Sequence, residues 1–250
     1  MNENGRDLYK LGLVQLGTCT HLVYNTITEK HGVMTKRKCT LNPTERRVKT
    51  EIDVIKALTE AKVRGIPTLC DYGTIKDEVF MVTEYIGHDL VRIMADSKHA
   101  TLDIKTVSNI GNYVLDVLLQ IHLHGWIHGD IRPGNILVNT HPPRICWLVG
   151  FYRSQSLTVD KVPVVTTDLL YTSPRIDGGY ALHPLDDIMS LVYTLDHLLR
   201  GPLPWAQITD RDIIIKMKYR FKPHELLTPL YTFALSPNKN NYLGHSKIRL

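Results

Sequence analysis

The sequence predicts an α+β fold in two parts, a small strand-rich lobe carrying one helix and then a mainly helical lobe. Three observations predict it. Short apolar runs of strand period occupy the first third of the chain, as Leu22-Val23-Tyr24, Val33-Met34-Thr35-Lys36 and Val79-Phe80-Met81-Val82. A single helical stripe interrupts them, with Val48, Ile52, Ile55 and Leu58 in phase and Glu51 one turn before Ile55. Beyond Gly87 the period turns helical, first in Val107, Ile110, Val114, Val117, Leu118 and Ile121, then in Ile188, Leu191, Val192, Leu195 and Leu199. The change falls near Glu84 and divides a single domain into residues 1–85 and 86–250.

A chain of 250 residues with 43% hydrophobic content can bury a substantial core. Its formal charge of +5 and isoelectric point near 8.9 are mildly basic. Lysines and arginines are scattered except for Lys36-Arg37-Lys38 and Arg46-Arg47-Val48-Lys49, which read as solvated faces rather than a nucleic-acid surface. The four cysteines, Cys19, Cys39, Cys70 and Cys146, lie far apart with no C-x-x-C pair, so free thiols in a reducing compartment are expected. The first residues lack the apolar segment of a signal peptide, and no run approaches the roughly 18 apolar residues of a membrane span. The expectation is a monomeric cytoplasmic or nuclear domain with a protein partner or protein substrate, and neither membrane nor specific nucleic acid.

Chemistry concentrates between the two helical stripes. Asp130 and Asn135 stand five apart with Arg132 between them, and the segment runs directly into the apolar strand Ile136-Leu137-Val138. A His-Asp pair alone is more often a satisfied hydrogen bond than a site. The spacing of His128-Gly129-Asp130-Ile131-Arg132-Pro133-Gly134-Asn135 outweighs that reading. It resembles the H-x-D-x-[KR]-x-x-N catalytic loop of the protein-kinase superfamily, which implies a bilobal kinase-like fold. The resemblance casts Asp130 as the carboxylate beside the accepting hydroxyl, Arg132 as the cation near the transferred phosphoryl and Asn135 as an oxygen ligand for Mg²⁺. Gly129 stands where an arginine commonly couples to a phosphorylated activation loop.

Further segments resemble the same superfamily. Val82 to Leu90 looks like a hinge, with Thr83 as gatekeeper and the backbone of Glu84 and Ile86 facing an adenine. Tyr171-Thr172-Ser173-Pro174-Arg175 resembles the end of an activation segment, and Asp186-Asp187-Ile188 the start of the central helix, where Asp187 would brace the catalytic loop. Gly201-Pro202-Leu203-Pro204-Trp205 is close to the G-x-L-P-W of the casein kinase 1 and vaccinia-related kinase group. The resemblance places Gly17 and Val23 over the nucleotide, Lys36 (or Lys38) on its phosphates and Glu51 in an ion pair with that lysine.

Three departures point away from an ordinary enzyme. The phosphate-covering segment Leu16 to Val23 keeps only Gly17 of its glycines. In Ile145-Cys146-Trp147-Leu148-Val149-Gly150-Phe151, an ungapped alignment puts Val149 at the metal-binding Asp of D-F-G and Gly150 at its Phe, leaving the ring's slot empty. Losing that oxygen ligand is worth roughly 10³-fold in rate, and no acidic residue stands nearer than Asp160. Arg175 reverses the charge of a glutamate that normally binds a buried arginine. The last helices look trimmed, as in compact viral kinases. The reading favoured by these faults is a pseudokinase, viral in type, with impaired use of Mg²⁺-ATP, that acts through protein binding or regulation with or without a cofactor. Its alternatives are an active serine/threonine kinase using ATP and Mg²⁺ and, third, a small-molecule phosphotransferase. On this alignment Val149→Asp partly restores Mg²⁺-dependent ATP binding.

Overall fold

A computed structural model describes residues 9–17, 20–38, 43–75, 78–97, 100–139, 145–158 and 168–235. Thr18, Cys19, Cys39 and Asp160 lie outside the described residues, as do the side chains of 11–17, 37–38, 43–47 and 75. The architecture is the predicted α+β one. A five-stranded antiparallel sheet is built from β1 (Tyr9–Gly17), β2 (Thr20–Asn25), β3 (His31–Lys38), β4 (Leu69–Ile75) and β5 (Glu78–Glu84), in the order β1-β2-β3-β5-β4. Between β3 and β4 runs α1 (Pro43–Glu60).

Register decides what each face of this sheet can do, because side chains alternate along a strand and partners across a ladder share a face. Val79 and Met81 turn towards α1 and join Val48, Ile52, Ile55 and Leu58 in the main core. Phe80 and Val82 point the other way and form a separate cluster with Val23 and Met34, with Tyr9 packed against it. Lys36 pairs with Phe80, and Val23 pairs with Gly32 one step from Met34, so both belong to the face turned away from α1.

The helical part is built on two stripes. After β6 (Gly87–Asp89) and α2 (Leu90–Ala95), α3 (Ile104–Leu123) begins where Asp103 accepts the backbone N–H of Thr106 at 3.0 Å. α5 (Pro184–Arg200) begins with a capping box, the Asp186 carboxylate accepting the N–H of His183 at 2.7 Å. The apolar faces of α3 and α5 meet in the main core, and α6 (Arg211–Tyr219) and α7 (Thr228–Leu235) complete it, while Ile176 of α4 (Pro174–Asp177) joins Ile127 and Leu182 in a separate cluster. Trp205, 1% exposed, packs edge-on against Tyr193 and Phe221 and donates its indole N–H to the Leu170 carbonyl at 2.8 Å.

Four short strands position the chemistry. β8 (Ile136–Asn139) pairs with β9 (Cys146–Leu148), and β7 (Trp126–Ile127) with β10 (Gln155–Ser156). Ile136 faces Leu148 and Ile127 faces Gln155, so the loops 128–135 and 149–154 are stitched together at both ends and must lie side by side.

Candidate active site

The loop 128–135 hangs on one buried carboxylate. Asp187, at the start of α5, accepts the backbone N–H of His128 and of Gly129, each at 2.8 Å, and the Nε2 of His122 at 2.8 Å. Burial alone would raise its pKa, but these hydrogen bonds and the nearby imidazoles win and hold it below the ordinary aspartate value. His128 Nδ1 accepts the N–H of Asp130 at 3.1 Å, which leaves Nε2 to donate to the Val149 carbonyl at 3.0 Å, so the ring is neutral. Gly129 has φ of +78°, and a Cβ there would stand 2.9 Å from the Arg153 carbonyl oxygen, so an arginine at this position has no room.

Burial pushes the pKa of His128 down. Its unfolded form, titrating near the ordinary value of about 6.5, therefore binds a proton before the folded form does, and stability falls as pH drops below that value. Urea unfolding at pH 7.5 and 5.5 is expected to give a lower midpoint at 5.5, with the difference reduced in His128→Phe.

The expected catalytic residues come together, but Asp130 is surrounded by donors. Only 8% exposed, its Oδ2 accepts Asn135 Nδ2 at 2.6 Å and the Tyr152 hydroxyl at 2.8 Å, and lies 3.3 Å from Arg132 Nε. Its Oδ1 lies 3.6 Å from Arg153 Nη1. Asn135 Nδ2 also donates to the Asp130 carbonyl at 2.7 Å. Arg132 reaches Asp168 Oδ2 at 3.4 Å as well. Burial, followed by the charge of Asp130 and the hydrogen bond to it, raises the Tyr152 pKa, so the phenol keeps its proton and donates.

The geometry moves the D-F-G register by one residue. Phe151 is fully buried, with its ring 4.7 Å from that of His128 and its N–H donated to Glu51 Oε1 at 3.0 Å. It therefore fills the aromatic slot expected to be empty, and Gly150, not Val149, holds the position of the metal-binding Asp. Val149 spends its N–H on the Asn135 carbonyl at 3.0 Å. Tyr152 then stands where the motif's glycine would be. Aligning on the Phe rather than on the missing Asp would have found this in the sequence. Gly150 has φ of +82°, and a Cβ there would come within 2.7 Å of Asn135 Oδ1.

The nucleotide residues are not gathered. Lys36 and Val23 lie on the sheet face away from α1, and among the described ion pairs none joins Lys36 to Glu51; a single step of strand register separates this arrangement from the expected one. Lys38 has the same parity as Lys36, opposite Glu78. Gly17 ends β1 opposite Thr20. Thr83 is buried facing the α1 side; Glu84 donates its N–H to the Thr68 carbonyl and accepts the Thr68 N–H on Oε1, at 3.1 and 2.8 Å, and Ile86 follows in the connection to β6.

Among the described residues Arg175 meets no buried cation. Its guanidinium lies 3.3 Å from Asp186 and donates to the Ala181 carbonyl at 3.1 Å. The buried cation is Lys218 of α6, and its partner is Asp177, at 2.7 Å with both side chains fully buried. Lys218 Nζ also donates to the carbonyls of Leu169 and Thr172. Burial pushes Asp177 up and Lys218 down, but three acceptors around Nζ require the ammonium, so the pair stays charged. A lysine four residues after the buried Ile214, in phase with the helix's inner face, was the sequence signal for it.

The protein kinase domain family matches residues 9–240. A Dictyostelium discoideum protein named "probable serine/threonine-protein kinase" is 23% identical over 213 residues, 80% of this chain and 41% of its own length. Casein kinase 1-like protein HD16 of Oryza sativa is 28% identical over 155 residues, 56% of this chain and 22% of its own length. Serine/threonine-protein kinase VRK3 of Bos taurus is 26% identical over 170 residues, 63% and 37% of the two chains. The chain thus spans well under two thirds of these curated relatives. The solved structure of vaccinia-related kinase 3 superposes with a TM-score of 0.74 at 20% identity, covering 92% of this chain and 81% of that one, which shows the shared fold. Sequence motifs, fold and family match agree: the chain belongs to the protein kinase domain family, with relatives in the casein kinase 1 and vaccinia-related group.

Proposed function

We propose that this domain is a pseudokinase, acting through a protein partner in the cytoplasm or nucleus rather than by phosphoryl transfer. One observation carries the reading. Asp130, the residue that would take the proton of an accepting hydroxyl, already accepts Tyr152 and Asn135 on Oδ2 and lies against two arginines, beside a glycine where the metal's carboxylate should stand. Kinase domains use ATP with Mg²⁺, and Mg²⁺ requires oxygen ligands in near-octahedral array. The residues present do not fit that group. Gly150 offers no side-chain oxygen and no space for one, and Lys36 faces away. Among the described residues no group of three His, Cys, Asp or Glu side chains is placed to hold a metal.

The test is a thermal shift with ATP, with and without Mg²⁺, beside a phosphate-transfer assay. Ligand stabilisation follows RT ln(1 + [L]/Kd), so a non-binder shows no shift. No Mg²⁺-dependent rise in Tm is expected, and no transfer above that of Asp130→Asn. A Mg²⁺-dependent shift with transfer abolished by Asp130→Asn would establish the serine/threonine kinase instead.

A further inference from the structure

We propose that residues 150–154 form a clasp that holds α1 against the catalytic loop without nucleotide, with the Tyr152 hydroxyl as its closing contact. The inference rests on the pseudokinase reading, because it gives the altered residues a positive role.

The segment grips α1 through one residue and the catalytic loop through four. The buried Phe151 holds α1 through its N–H on Glu51 and packs on His128 of the catalytic loop. Tyr152 donates to Asp130 at 2.8 Å, and Arg153 lies 3.6 Å from the other oxygen of the same carboxylate. Ser154 donates its hydroxyl to the His128 carbonyl at 3.1 Å. The catalytic loop is thus held by four consecutive side chains and α1 by one backbone amide, and none of these contacts uses a nucleotide or metal. Glu51, expected to reach a lysine over the phosphates, accepts the backbone N–H of Phe151.

The same contact excludes a substrate. A phenol hydroxyl within hydrogen-bond reach of Asp130 is where an accepting hydroxyl would sit, so the site is filled by the chain itself. Gly150 is what permits this packing, since any side chain there would push Asn135 off Asp130. Catalytic residues are here reused as a fastening. A binding partner therefore meets one lobe arrangement, whatever the nucleotide concentration.

Native-state hydrogen exchange tests this on the full chain. Tyr152→Phe keeps the ring and removes only the donor, and Glu51→Ala releases the clasp from the α1 end. Amide protection across 48–60 and 128–136 is expected to fall about tenfold in Tyr152→Phe, the equivalent of one hydrogen bond to a charged group, and in Glu51→Ala over 48–60. Mg²⁺-ATP is expected to add no protection to the wild type. Protection of 48–60 in Tyr152→Phe equal to wild type would overturn the clasp. Phosphate transfer by the wild type, measured on the same samples, would overturn the pseudokinase reading alone, so the two failures can be told apart.

Discussion

Lys218→Met is expected to cost about 3–5 kcal/mol of stability, the range found when one partner of a buried ion pair is removed. The size follows from what is left behind. Asp177 is fully buried and would keep Thr172 as a hydrogen-bond donor but lose its only partner cation among the described ion pairs. The Leu169 and Thr172 carbonyls would lose their shared donor too. The double variant Asp177→Leu/Lys218→Met removes the orphaned charge and is expected to recover part of the loss, because an apolar pair of similar volume can replace a buried ion pair. Urea unfolding of the three proteins, fitted for midpoint and slope, checks both statements. A single variant within about 1 kcal/mol of wild type would mean that Asp177 takes up a proton at little cost, contrary to the charged pair. Because Lys218 ties α6 to the segment Leu169–Asp177, proteolysis should strike that segment first in the single variant.

How much of this was legible in the sequence differs between fold and site. The stripes Val107 to Ile121 and Ile188 to Leu199 were readable because a helix burying one face against a large core repeats at 3.6 residues, and α3 and α5 are those stripes. The spacing of Asp130 and Asn135 was readable because both lie in one short loop fixed by Asp187. What failed was register. On β3, residues 33 to 38 alternate in face with no apolar run on one side to say which face is inner, so Lys36 was assigned to the wrong one. The D-F-G alignment slipped because it was anchored on a residue that is missing, when Phe151, an aromatic next to a turn glycine, was the better anchor. Pairings across long separations, such as Phe151 with Glu51 or Lys218 with Asp177, leave no local pattern that names the partner.

That one-residue shift changes which substitution ought to rebuild the metal site. Val149→Asp, suggested by the ungapped alignment, puts a carboxylate one residue away from the site and is expected to leave Mg²⁺-ATP binding absent. Gly150→Asp puts it at the right position and is expected to destabilise the domain by about 1–3 kcal/mol without restoring binding. Two causes add. At φ of +82° a side chain is strained, and its Cβ would meet Asn135 Oδ1 at 2.7 Å, so Asn135 must abandon its bonds to Asp130. A new carboxylate would also face Asp130 with no metal yet bound, and like charges at short range repel strongly where water is sparse. Adding Tyr152→Gly completes D-F-G at 150–152 and removes the hydroxyl from Asp130, yet leaves Lys36 on the far face of the sheet. Melting curves of Gly150→Asp and Gly150→Asp/Tyr152→Gly, each with ATP and with ATP plus Mg²⁺, are expected to be lower than wild type and unmoved by the metal. If the double variant gains a Mg²⁺-dependent shift, the lost carboxylate and the Tyr152 hydroxyl were the whole obstacle and the position of Lys36 is no barrier. If it does not, the defect is distributed over the sheet register, the glycine position and the occupied Asp130, and no single reversal would return this domain to catalysis.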